Sequence, residues 1–155
     1  NSFTGDGQDL DSAKFYIRKQ GTPTGSVYAK VYAHTGTFGT DGKPTGAALA
    51  ASGAIDISTL SGTTAALSTF TFSGANRIQL INATKYVVQC YYLGGDASNY
   101  LWVGIDNSSP THAGNLSYTE DDQSTWTATD SWDACFYVYG VPVPAAGGGM
   151  PFMSY

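Results

Sequence analysis

Apolar and polar residues alternate with a period of two through most of this chain, and turn-forming residues interrupt the alternation at short intervals. "AKFYIRK" (13–19) sets Phe15 and Ile17 on one face and Lys14, Tyr16 and Arg18 on the other. "SVYAKVYAH" (26–34) repeats the pattern, with Val27, Ala29, Val31 and Ala33 opposed to Tyr28, Lys30 and Tyr32. Shorter runs pair Ile55 with Ile57, Phe70 with Phe72, and Ile78 with Leu80. "TKYVVQCYYL" (84–93) is apolar on both faces, the mark of a strand buried inside a sandwich. "NYLWVGID" (99–106) sets Leu101, Val103 and Ile105 against Tyr100, Trp102 and Gly104, and "STWTAT" and "DACFYVYG" follow. No segment of helical length carries a 3.6-residue period. The expected fold is all-β: a jelly-roll-like antiparallel β-sandwich of roughly eight or nine strands.

Length and charge narrow the function. At 155 residues the chain is expected to form one domain, at 1–140, followed by a tail at 141–155. The net charge of −5 and the lack of a basic stripe argue against nucleic acid and against anionic membranes as partners. No apolar run is long enough to span a bilayer, so direct membrane insertion is not expected. Charged residues make up only 12% of the chain, with Gly, Ser, Thr and Tyr abundant. Such a profile is common in extracellular, cell-surface and virion-surface domains. Cys90 and Cys135 are too few for a disulfide scaffold or a zinc site, and either one bridge or two buried thiols would suit them.

"GTFGTDGKPTG" (36–46) looks at first like a phosphate-binding loop. The required glycine is replaced by Thr37, Pro44 stands where the magnesium-binding hydroxyl belongs, and no good helix follows. The stretch ends instead in "GKPTG", a near copy of "GTPTG" at 21–25, and each copy is expected to be a turn entering an extended segment.

Four groups of residues carry potential chemistry. Asp6, Asp9, Asp11 and Asp133 could supply hard oxygen ligands to a structural calcium ion, although the run does not match an EF-hand loop. Glu120, Asp121, Asp122 and Asp130 are further acids, but no spacing fixes the opposed pair that a glycosidase needs. His112 stands near Asp106, Ser108 and Ser109 without a nucleophile elbow, and His34 is isolated. Aromatic residues crowd the C-terminal half. Those in or beside loops (Tyr100, Trp102, Tyr118, Trp126 and Trp132) are expected to stack on sugar rings, with Asn99, Asn115 and Gln123 reading hydroxyl groups and Asp106 and His112 as further polar neighbours.

Taken in order, "SFTGDGQDLDSAKFYIRK", "GTPTGSVYAKVYAHTG", "GKPTGAALAASGAIDIS", "FTFSGANRIQLINATKYVVQCYY" and "WDACFYVYG" resemble the choice-of-anchor modules of bacterial surface proteins. Similar domains occur in phage and environmental structural proteins. The resemblance covers residues 2–140. It implies an extracellular β-sandwich for display or attachment, with glycan or neighbouring protein subunits as partners, and it supplies no catalytic residues. The segment "VPVPAAGGGMPFMSY" departs from it, and its Met150, Phe152, Met153 and Tyr155 would suit an arm docking on a neighbouring subunit, as in a virion decoration or tail-fibre component.

Overall fold

A computed structural model describes residues 1–119 and 123–143. The described chain is all-β and antiparallel, with thirteen strands, most of them short, and two 3₁₀ turns at 57–59 and 74–76. The strands are β1 (Ser2–Thr4), β2 (Asp9–Gln20), β3 (Ser26–Thr35), β4 (Lys43–Ala51), β5 (Ile55–Asp56), β6 (Ala66–Thr71) and β7 (Lys85–Tyr92). They continue with β8 (Tyr100–Val103), β9 (Ile105–Asp106), β10 (Leu116–Tyr118), β11 (Thr127–Thr129), β12 (Asp133–Ala134) and β13 (Phe136–Val141). The expected run at 77–81 forms only an isolated bridge between Gln79 and Asp9. No helix among the described residues is long and apolar enough to cross a membrane.

Two main sheets make the sandwich. The first has the order β1-β7-β3-β4, with β5 also on β3; the second has β13-β2-β6, with β8 also on β2. Alternation decides which side chains meet between them. Val27, Ala29, Val31 and Val88 from the first sheet join Ala13, Phe15, Ile17 and Phe70 from the second in one buried cluster. Phe15 meets Phe70 edge-on, with ring centroids 6.1 Å apart, and stacks on Phe136 at 6.3 Å. Two small pairs, β10 with β11 and β9 with β12, sit beside the main sheets.

The two Gly-x-Pro-Thr-Gly copies fold differently. "GTPTG" is a turn, with Gly21 and Gly25 at positive φ, between β2 and β3. "GKPTG" lies inside the described strand β4 from Lys43 onward, so the turn expected there is corrected. Thr45 pairs with Ala33, the register shifts before Val31 pairs with Ala50, and Gly46 takes φ +71° at that irregularity. Here the glycine makes a bulge rather than a reversal.

Candidate functional site

The outer face of the second sheet carries a strip of aromatic side chains. On β2 the residues facing away from the core are Ser12, Lys14, Tyr16, Arg18 and Gln20, as alternation requires. Register places Tyr139 opposite Ser12, Tyr137 opposite Lys14, Trp102 opposite Arg18 and Tyr100 opposite Gln20. Directly opposed residues share a face, so Tyr139, Tyr137, Tyr16, Trp102 and Tyr100 form one row along the strand. From Ser12 to Gln20 the row spans about 26 Å at ~3.3 Å per residue. Tyr16 is 40% exposed, Trp102 45%, Tyr137 49% and Tyr139 43%, while Tyr100 is half-buried.

The row is held in place by its neighbours. The Tyr137 and Tyr139 rings stack at 6.3 Å with 26° between their planes. The Lys14 ammonium lies 5.0 Å from the Tyr139 ring centre, and the Arg18 guanidinium lies 4.7 Å from that of Trp102. Arg18 Nη1 donates to Lys19 O, Gln20 Oε1 and Gly62 O, which fixes the plane beside the indole. At the middle of the row β8 and β13 approach β2 end to end. Gly104 N–H donates to Tyr16 O, Cys135 N–H donates to Gly104 O, and Tyr16 N–H donates to Cys135 O. A Cβ on Gly104 would stand 3.1 Å from the Tyr16 Cβ, so the glycine allows the strand to pass close beside Tyr16.

Tyr118, Trp126 and Trp132 gather elsewhere. With Phe15, Cys90, Val103, Ile105 and Leu116 they line a largely apolar cleft of about 310 Å³ beside β7. Gln89 Oε1 and Ser117 Oγ are buried in its walls without a hydrogen-bond partner among the described residues. The structure thus divides the aromatic residues expected from sequence into two places: Tyr100 and Trp102 on the strip, the other three at the cleft.

The expected polar neighbours are engaged inside the protein. Asn115 is fully buried, donates from Nδ2 to Gly42 O at 2.9 Å and accepts from the Ser2 hydroxyl at 3.0 Å, so it has no surface for a ligand. Asn99 accepts from the Thr22 amide at 2.8 Å and donates to Asp96, tying the loop before β8 to the "GTPTG" turn. Gln123 Oε1 accepts from the Tyr32 hydroxyl at 2.9 Å.

The acidic residues do not come together. Asp6 accepts from the Gln8 amide, Asp11 pairs with Arg77, and Asp9 lies in β2 opposite Val141. Asp133 is buried, accepting from the Asn1 side chain at 2.5 Å, with its other oxygen 3.8 Å from His112 Nδ1. Among the described residues no three His, Cys, Asp or Glu side chains are grouped to hold a metal ion, so these four aspartates do not fit calcium as a set. Glu120, Asp121 and Asp122 lie outside the described residues.

His112 and Asp133 line an open cleft of about 690 Å³ with Phe136 and Tyr137. His112 Nδ1 accepts from the Gly114 amide at 3.1 Å, and the Ser108 hydroxyl donates to Asp106 at 2.7 Å. The Ser108 bond is made to the carboxylate rather than to the imidazole, so Ser108, His112 and Asp106 do not form a relay. Hydrogen bonds from Ser108 hold the Asp106 carboxyl below its ordinary range. Both cysteines are free thiols, and burial pushes Cys90 up to about 12, which leaves it an inert core residue.

Sequence reasoning did not assign Tyr16, Tyr137 and Tyr139 to the site. The signal was present: in "FYVYG" the tyrosines alternate with Phe136 and Val138, and Tyr16 shares its face with Lys14 and Arg18. Comparison with protein-family models, curated proteins and solved structures finds no match to this chain.

Proposed function

We propose that the protein is a non-catalytic attachment module of a cell or particle surface that binds glycan along the outer face of its second sheet. The observation that carries this reading is the row Tyr139–Tyr137–Tyr16–Trp102–Tyr100, aligned by register, exposed at all but Tyr100, and held by cation–π contacts at Tyr139 and Trp102. Aromatic faces stack on the C–H faces of sugar rings. A surface already ordered before binding loses little side-chain entropy when a ligand arrives. The choice-of-anchor resemblance points to the same use, and its display role is part of this proposal.

The test is retention on a panel of immobilised polysaccharides. Trp102→Ala and Tyr137→Ala should each weaken binding about tenfold, equivalent to about 1.4 kcal/mol. Trp132→Ala, at the separate cleft, should leave it unchanged. Loss of binding only in the Trp132 variant would move the site to the cleft, and no retention on any member would remove the reading.

A second reading, a structural subunit of a virion or other extracellular assembly, draws on Leu67. It is 39% exposed and stands opposite Tyr16, extending the strip as an apolar surface. Concentration-dependent self-association that Tyr137→Ala abolishes would favour it. Of the tail expected at 141–155, Val141 ends β13 opposite Asp9, and residues 144–155, with the apolar side chains proposed to dock, lie outside the described residues.

A further inference from the structure

The aromatic strip differs in charge from the rest of the chain. Twelve acidic residues outnumber seven basic ones overall. On the strip the order reverses: Lys14 and Arg18 stand on either side of Tyr16 on β2. No Asp or Glu occupies the facing positions 100, 102, 137 and 139, or 67, 69 and 71 on β6; Asp106, which shares a cleft with Tyr16 and Tyr137, is engaged by the Ser108 amide and hydroxyl.

Neither strip cation forms an ion pair among the described residues, whereas Arg77 is paired with Asp11. Lys19 and Lys85 are directed to Ser58 O and Thr4 Oγ1. Arg18 binds its three protein acceptors through Nη1 alone, leaving Nη2 and Nε without an acceptor among the described residues. Among the described residues Lys14 meets the Tyr139 ring and no hydrogen-bond acceptor. Two donors of positive charge without an ion pair among the described residues therefore stand within the aromatic row, on backbone positions about 13 Å apart at ~3.3 Å per residue.

Resting on the glycan reading, we propose that the ligand is an anionic polysaccharide whose carboxylate or sulfate groups are received by Lys14 and Arg18 while its rings lie on Tyr137, Tyr16 and Trp102. The backbone spacing of the two positions exceeds the length of one sugar ring, which assigns the two anions to non-adjacent rings. Arg18 offers a planar pair of N–H groups to one anion, and Lys14 offers a point charge to the other. A single-stranded nucleic acid also combines stacking rings with anions, but it brings a phosphate at every step. Two cations on a chain of net charge −5 suit a more sparsely charged polymer.

The experiment compares affinity electrophoresis of the whole protein in gels containing hyaluronan (a carboxylate on alternate rings), κ-carrageenan (a sulfate on alternate rings), neutral dextran, neutral xylan or a thymidine oligonucleotide. Hyaluronan or κ-carrageenan should bind at least tenfold more tightly than either neutral polymer, and the difference should shrink as salt is raised. Whichever of the two binds more tightly identifies carboxylate or sulfate as the preferred anion. Lys14→Gln with Arg18→Gln should reduce anionic binding at least tenfold in a protein that still unfolds cooperatively in urea. Equal or tighter retention on neutral polymers overturns this inference and leaves the glycan reading standing. Retention on none overturns both. Oligonucleotide binding as tight as that of the anionic glycans, or a double variant that binds as wild type, also overturns it.

Discussion

His34 sits on β3 with its Nε2 buried and without a hydrogen-bond partner among the described residues, its ring 5.9 Å from that of Phe38. Burial lowers its pKa from the ordinary histidine value, and Lys85 lowers it further against the opposing pull of Asp41. A depressed folded pKa means that the unfolded chain takes up the proton more readily. The stabilising contribution is complete above about pH 6.5 and is lost as pH falls toward and through the folded value. Urea midpoints measured from pH 8 to pH 4.5 should therefore drop more for wild type than for His34→Gln, and parallel curves would show that the imidazole is not the cause. Asn115 illustrates why single polar residues were poorly legible. The sequence shows a loop asparagine among aromatics, as a ligand contact would appear. Its burial depends on Ser2 and Gly42, each more than seventy positions away, and no local pattern reports them. Replacing it with alanine removes the Nδ2 donor to the Gly42 carbonyl and the side-chain acceptor of the Ser2 hydroxyl, which keeps the backbone N–H of residue 115. Asn115→Ala should cost about 2–3 kcal/mol of stability by denaturant titration. Glycan retention by the folded fraction should not change, which separates a structural asparagine from a ligand contact.

At the scale of elements, the two Gly-x-Pro-Thr-Gly copies show what local sequence does and does not specify. Both offer a proline that presets φ and a glycine free to take positive φ. The first copy is left as a turn because β2 must reverse there into β3. The second is drawn into β4 because Lys43, Pro44 and Thr45 find partners in Thr35, His34 and Ala33, and the reversal is made earlier, at 36–42. Tertiary pairing decides between identical turn signals. Gly46 gives a clean test, since nothing lies within 4 Å of where its Cβ would be, so alanine brings backbone strain and no clash. Gly46→Ala should cost about 1–2 kcal/mol from the positive φ alone, read as a shift in the denaturant midpoint. A change close to zero would mean that the bulge relaxes. The same logic governs the aromatic strip. Which tyrosines share a face was readable from the alternation in "FYVYG" and "AKFYIRK". That β13 and β8 follow each other along one edge of β2, joining the two groups into a row, was not, because register between distant strands is set by packing.

Across the whole molecule, β2 is the strand on which the second sheet depends. It pairs with β6 on one edge and with β13 and β8 on the other, so its partners come from the middle and the end of the chain. The first sheet makes a similar demand, with β1 pairing only with β7. The all-β class was legible because alternation is local. The strand order was not, because segments such as Ala13 and Val138 must first be brought together from opposite ends of the sequence. Closing such long loops costs entropy before any contact repays it, which places folding in the slow range of roughly milliseconds to seconds. β13 should matter most. Phe136 stacks on Phe15 in the core, and its strand covers an edge of β2 from Asp9 to Phe15. A chain ending at Ala134 would leave that edge unpaired and remove Phe136 and Val138 from the core margin. It should show no cooperative urea transition by tryptophan fluorescence, although it keeps Trp102, Trp126 and Trp132. A peptide of residues 135–143 added in excess should restore a transition if pairing with β2 is what the truncation removed. A truncated chain that unfolds cooperatively alone, at the wild-type midpoint, would show that β13 is an appendage rather than part of the closing sheet.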